Sequence, residues 1–126
     1  MVLTPGLSAA VEHVVAESDT SIALGSGDVA VLGTPRLLAL AEEATVAAVA
    51  EALDPDETTV GHRVVLEHRA PTAVGEAVRA EAVLAEVDGR SLVFRVTLWD
   101  GRGPIGDATI TRVVVDRSRF VERLAP

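Results

Sequence analysis

The stretch that decides the fold is Leu32–Leu53, "LGTPRLLALAEEATVAAVAEAL". Thr34 reads as a helix N-cap and Pro35 suits the first helical position. The helix is expected to run to about Leu53, where "DPDETT" stops it. At about 100° per residue, Leu37, Leu40, Ala41, Ala44 and Ala48 centre on one direction, the face that would meet a sheet. Glu43 falls almost opposite, beside Arg36 and Ala39, as a solvent acid. Glu42 falls on the flank of the apolar face, next to Leu38, Thr45 and Val49. A carboxylate on that flank is partly desolvated, which makes it a stronger base.

Outward from the helix, the periodicity changes to two. In "HRVVLEHRA", His62, Val64, Leu66, His68 and Ala70 share one face, and Arg63, Glu67 and Arg69 the other. "PTAVG" makes a turn, after which Val78, Ala80, Ala82 and Leu84 alternate up to Asp88-Gly89, a strong hairpin signal. The return strand aligns Leu92, Phe94, Val96 and Leu98, and "DGRGP" leads into a last strand, Ile105–Asp116. The terminal "RSRFVERLAP" reads as a trailing turn. Before the helix, "SAAVEHVVAE" (8–17) reads as a first strand and "SDTSIALGSGDVAVLG" (18–33) as loop. One long helix packed on an antiparallel sheet of about five strands makes an α+β protein, expected as a single domain over residues 1–126. The far sheet face, with Val93, Thr97 and Trp99 beside Arg79, Glu81 and Val83, is mixed.

Composition narrows the chemistry. The net charge of −8 offers no handle for phosphate backbones or anionic membranes, so nucleic acid and membrane are not expected partners. All 11 basic residues are Arg, which excludes Schiff-base lysines and lysine-based phosphate loops. Cysteine is absent, which removes thiolate nucleophiles and Cys-ligated metals. His62 and His68 would lie ~20 Å apart on an extended strand, too far for a shared ion. No cofactor or metal is implied. The start "MVLTPGLSAAVEHVV" lacks a basic region before an apolar run, so no signal peptide and a cytoplasmic protein are expected.

The order of elements resembles the hotdog fold. "GSGDVAVLGTPRLLALAEEA", "TTVGHRVVLEHRAPTAVG", "EVDGRSLVFRVTLWD" and "IGDATITRVVVDRSRF" resemble the fluoroacetyl-CoA thioesterase-like branch of hotdog thioesterases, from about Asp19 to Phe120. The resemblance implies hydrolysis of an acyl-CoA thioester by a Thr at the helix start, a Glu on the helix and a His on the following strand. Thr34, Glu42 and His68 occupy those positions. It also implies substrate contacts from the Gly61 N–H and from Arg112, and a homodimer, or a dimer of dimers, with sites at the interface. Taken without the resemblance, Glu42 borders the core, His68 is a structural core histidine and Thr34 is a cap. Thr34 and Glu42 lie ~12 Å apart along one helix, so they bracket an extended substrate or meet across a dimer interface. Glu42 would activate a water or attack the carbonyl, with Thr34 positioning and His68 moving a proton. The alternative is a pocket that holds acyl-CoA or another apolar ligand without turnover. No aromatic residue precedes Phe94, so the loop before the helix cannot form an aromatic lid, and a small or medium acyl group is expected. Arg36, Arg63 or Arg69 would grip the coenzyme phosphates.

Overall fold

A computed structural model describes residues 2–126. The elements are β1 (Ser8–Val14), α1 (Ser21–Leu24), α2 (Thr34–Val49), β2 (Glu57–His68), β3 (Ala77–Asp88), β4 (Ser91–Asp100), β5 (Gly103–Asp116) and α3 (Arg117–Glu122). The five strands form one antiparallel sheet in the order β1-β3-β4-β5-β2. The two hairpins therefore sit at its centre, and β1 and β2 are its edges. Among the described residues, no helix is long and apolar enough to cross a membrane.

Helix α2 lies on the concave sheet face. Leu37, Leu40, Ala41 and Ala44, all essentially buried, meet Val78, Ala80 and Ala82 of β3 and Val96 and Leu98 of β4. The alanines keep this helix thin enough for the sheet to approach it closely. A second cluster at the far end of the helix joins Ala48 and Val49 to Leu84, Leu92, Phe94 and Val114. Phe94 fills the space there that small side chains leave. Three register shifts, at Gly61/Arg63, Leu84/Glu86 and Leu98/Trp99, interrupt the ladders. Such bulges bend a strand and tighten its twist, which lets a five-stranded sheet curl round one helix.

Several boundaries differ from the sequence expectation. The first strand ends at Val14, because the Asp19 carboxylate accepts the Ala16 N–H at 2.7 Å and draws Glu17–Asp19 into a tight turn. The supposed loop contains α1, capped where Thr20 Oγ1 accepts the Ala23 N–H at 3.2 Å. Helix α2 stops at Val49, and residues 50–52 continue as a single 3-10 turn. The tail forms α3, started by Asp116 accepting the Arg119 N–H at 3.0 Å. His62 does not share the face of Val64, Leu66 and His68: the bulge at Gly61/Arg63 takes it out of register and leaves it exposed.

The start of α2 is pinned by Asp19, which is 5% exposed. Its carboxylate contacts His13 Nε2 at 2.6 Å and accepts from Arg36 Nε at 3.0 Å, and its carbonyl accepts the Gly33 N–H at 2.9 Å. Burial pushes the carboxyl up, but the Ala16 N–H, His13 and Arg36 together outweigh it and hold the group below its ordinary value of 3.8. A depressed carboxyl contributes stability that is present above the unfolded value and is lost as pH falls through the folded one. Asp19→Ala should therefore lower unfolding free energy by about 2 kcal/mol at pH 7. The deficit should shrink below pH ~4 in urea titrations. Glu43→Ala should stay within about 0.5 kcal/mol of wild type. Equal stabilities of Asp19→Ala and Glu43→Ala at pH 7 would contradict the pinning role.

Candidate active site

The helix start presents Thr34 in an unexpected way. Gly33, extended at φ −76° and ψ 144°, takes the N-cap position and makes no side-chain cap. Thr34 is the first helical residue, so its hydroxyl is not spent on capping. It lies 2.9 Å from His68 Nδ1. With the ring proton on Nε2, the Thr34 hydroxyl donates to Nδ1. A side chain at Gly33 would crowd its neighbours, because a Cβ would come within 2.9 Å of Leu24 Cδ1 and 3.2 Å of the Ser21 nitrogen. Pro35 lacks an N–H, and the Arg36 and Leu37 N–H groups both turn back to the Gly33 carbonyl.

His68 ends β2 opposite Gly106 of β5. Burial lowers its pKa below the ordinary 6.5, with the Ala70 backbone pulling the other way. Its Nε2 is buried and has no hydrogen-bond partner among the described residues. A buried ring nitrogen without a partner costs stability in a purely structural histidine. Thr34 and His68 line a cleft of about 290 Å³ with Gly27, Val29, Val31 and Leu32 on one side and Arg69, Ala70 and Pro71 on the other.

The second group forms half a helix further on. Arg112 sits on the inward face of β5, between Ile110 and Val114, and is 6% exposed. Its Nε donates to Thr59 Oγ1 at 2.9 Å and its Nη2 to the Thr59 carbonyl at 2.9 Å. The remaining nitrogen, Nη1, donates to Glu42 Oε2 at 3.0 Å. Gly61 completes the group, since a Cβ there would lie 2.8 Å from Glu42 Oε2. Only glycine lets the carboxylate rest against the strand. Glu42 is half-buried, as its flank position implied, and Glu43 is exposed. The acid is not left unpaired, however: the guanidinium compensates its desolvation.

Of the five residues singled out, the structure thus joins Thr34 with His68, and Glu42 with Gly61 and Arg112. It does not join the two groups within one chain, where eight residues of helix separate Thr34 from Glu42 by roughly 12 Å. Thr59, which fixes Arg112, and Asp19, which fixes the helix start, were not singled out by the sequence. The signal for Thr59 was faint: a polar residue at an inward position of β2. Of the arginines expected to meet phosphates, Arg36 pairs with Asp19 and Arg69 with Asp107, while Arg63 is exposed beside the bulge.

A long helix wrapped by a five-stranded antiparallel sheet, with polar groups at both the start and the flank of that helix, defines a hotdog-fold protein. A hot-dog-like protein from Thermanaerovibrio acidaminovorans shares this fold at 23% identity, with a TM-score of 0.84 over 97% of this chain and 93% of that one. The chain belongs to the fluoroacetyl-CoA-specific thioesterase family, whose sequence model matches residues 15–118. The fluoroacetyl-CoA thioesterase of Streptantibioticus cattleyicolor is 37% identical over 90 residues, which cover 71% of this chain and 65% of that enzyme's length. A solved structure of the fluoroacetyl-CoA thioesterase FlK superposes with a TM-score of 0.90 at 30% identity, covering 98% of each chain.

The depressed His68 pKa has a direct readout. By NMR titration, the His68 ring should stay neutral through pH 6.5 and take its proton only below it, whereas an unfolded chain titrates near 6.5. The sign follows from linkage: its contribution to folding is complete above the unfolded value and is lost as pH falls through the folded one. A folded-state midpoint above 6.5 would show that the ring is not desolvated.

Proposed function

We propose that this protein hydrolyses an acyl-CoA thioester bearing a small or medium acyl group, at two identical sites built between two copies of the chain. The observation that carries the reading is the 2.9 Å contact of Thr34 with His68, in a family of thioesterases, together with a carboxylate held at a fixed position by Arg112. Relatives support the substrate class, since FlK structures include complexes with acetyl-CoA and with fluoroacetate. The acyl end lies in the cleft beside Thr34. Its loop wall of Gly27, Asp28 and Val29 carries no aromatic ring, which favours a broader choice of acyl group than fluoroacetyl.

Two copies close the site by pairing through the free edge of β2. That edge carries Val65, 51% exposed, and an uncovered edge strand is a template for another strand. Two-fold pairing there continues the sheet and sets the two α2 helices side by side in opposite directions. Glu42 of each copy then faces the Thr34 and His68 of the other.

In this arrangement Glu42 acts as general base. Its Oε2 is engaged by Arg112, and its other oxygen takes a proton from water as that water attacks the thioester carbonyl. The Gly61 N–H stabilises the oxyanion. The proton that Glu42 has taken passes through the Thr34 hydroxyl to Nδ1 of the neutral His68 ring, and the ring gives its Nε2 proton to the departing thiolate as the C–S bond breaks, which leaves Glu42 a carboxylate again. A ring needed in its neutral form gives kcat/KM an acid limb below pH 6.5, because burial lowers the His68 pKa.

A panel of acyl-CoA thioesters from acetyl to octanoyl tests the activity. Glu42→Ala and His68→Ala should each lower kcat by on the order of 10²–10⁴. No turnover above background by wild type, or unchanged turnover in both variants, would overturn the hydrolase reading; tight binding without turnover would replace it with a ligand-binding role.

The shared site is tested by mixing inactive Thr34→Ala and Glu42→Ala chains. Random pairing makes half the dimers mixed, each with one intact site of two, so about a quarter of wild-type activity should return. A site contained in one chain would recover none.

A further inference from the structure

Away from the acyl cleft, a second cleft of about 370 Å³ opens where α3 packs against the end of β5. Val113 and Val115 form its apolar floor, Phe120 stands at one side, and Arg90, Arg119 and Arg123 surround it. This concentration is unusual for the chain. With 19 acids against 11 arginines, an average cleft would carry more carboxylates than guanidiniums. Here the lining carboxylate is Asp116, which is engaged in accepting the Arg119 main-chain N–H.

Elsewhere, Arg36, Arg69, Arg79, Arg102 and Arg112 each pair with an acid, whereas Arg63, Arg95 and Arg117 stand apart from one another in the sequence and make no ion pair among the described residues. Among the described residues, Arg119 and Arg123 make no ion pair. Arg123 lies over the Phe120 ring, 5.4 Å from its centre. Arg90 donates to the Val114 carbonyl at 3.2 Å and reaches Glu57 only at 3.8 Å. Three guanidiniums with spare donors, an aromatic ring and an apolar floor suit a ligand with an anionic end and a flat, less polar body. The cleft volume lies within the ~300–1,000 Å³ range of small-molecule sites.

We propose that this cleft binds a nucleoside phosphate, with Arg90, Arg119 and Arg123 on the phosphate and the base against Phe120 and the valine floor. Such a ligand has two sources, a free nucleotide or the nucleotide end of a coenzyme thioester. The second source rests on the thioesterase reading above; the first does not.

The test is calorimetric titration of the full chain with ADP, adenosine and inorganic phosphate. ADP should bind at least tenfold more tightly than either fragment. Arg119→Ala/Arg123→Ala should weaken ADP at least tenfold, and Arg90→Ala, from a different element, should weaken it as well, with circular dichroism unchanged in both. Absence of saturable ADP binding, equal binding of phosphate alone, or undiminished ADP binding by the folded variants would each overturn the proposal. The source is read by comparing an acyl-CoA with the matching acyl-pantetheine. A coenzyme handle raises KM for the acyl-CoA alone in Arg119→Ala/Arg123→Ala, at unchanged kcat, whereas a separate nucleotide leaves both KM values unmoved. If the chain hydrolyses neither compound, the thioesterase reading fails and the titration still decides the cleft.

Discussion

Arg112 is the constraint around which the flank of the helix is arranged. A guanidinium on the inward face of a sheet, among Ile110 and Val114, is tolerable only if its donors are met. Thr59 on the neighbouring strand meets two of them with its hydroxyl and carbonyl, and Glu42 meets a third. The charge that would otherwise forbid burial thereby fixes the carboxylate of a helix that could rotate or slide on an alanine-rich face. Gly61 follows from the same constraint, because the carboxylate occupies the volume of any side chain at that position. A buried pair of this kind is a weak source of net stability and a strong source of position.

The start of the helix is governed by a different anchor with the same logic. Asp19, buried in the turn after β1, holds Gly33 through its carbonyl and Arg36 through its carboxylate, one residue before and two after Thr34. Fixing both sides sets the direction of the Thr34 hydroxyl. With Gly33 as the cap, that hydroxyl is left to meet His68. Two part-buried acid–arginine contacts, one near each end of an eight-residue span, thus hold the polar groups of the site without needing large side chains in the core.

What was legible in the sequence follows from periodicity. The helix face, the two hairpins and the antiparallel sheet are written in apolar spacing, so Leu37, Ala44, Phe94 and Leu98 lie where the pattern put them. Glu42 and Glu43 were distinguishable by angle alone. Features that depend on one residue's dihedrals or on contacts far apart in sequence were not legible. Thr34 read as the cap because Thr-Pro is a common helix start, and only the backbone angles of Gly33 show otherwise. His62 falls inward only under strict alternation across Gly61, where the bulge adds a residue. Asp19 lies 17 residues before Arg36 and looked like loop composition.

A helix rises about 1.5 Å per residue, so no adjustment of side chains brings the Glu42 carboxylate onto the Thr34 hydroxyl of its own chain. Each group nevertheless carries a feature left unused among the described residues: the His68 Nε2 is buried without a partner, and the Glu42 carboxylate has one oxygen outside its ion pair. The free edge of β2 lies beside both, since Gly61 and His68 are on that strand. Antiparallel pairing along this edge reverses one helix relative to the other. In the proposed dimer that reversal would carry the flank of one α2 towards the start of its neighbour, so that one interface would complete two sites.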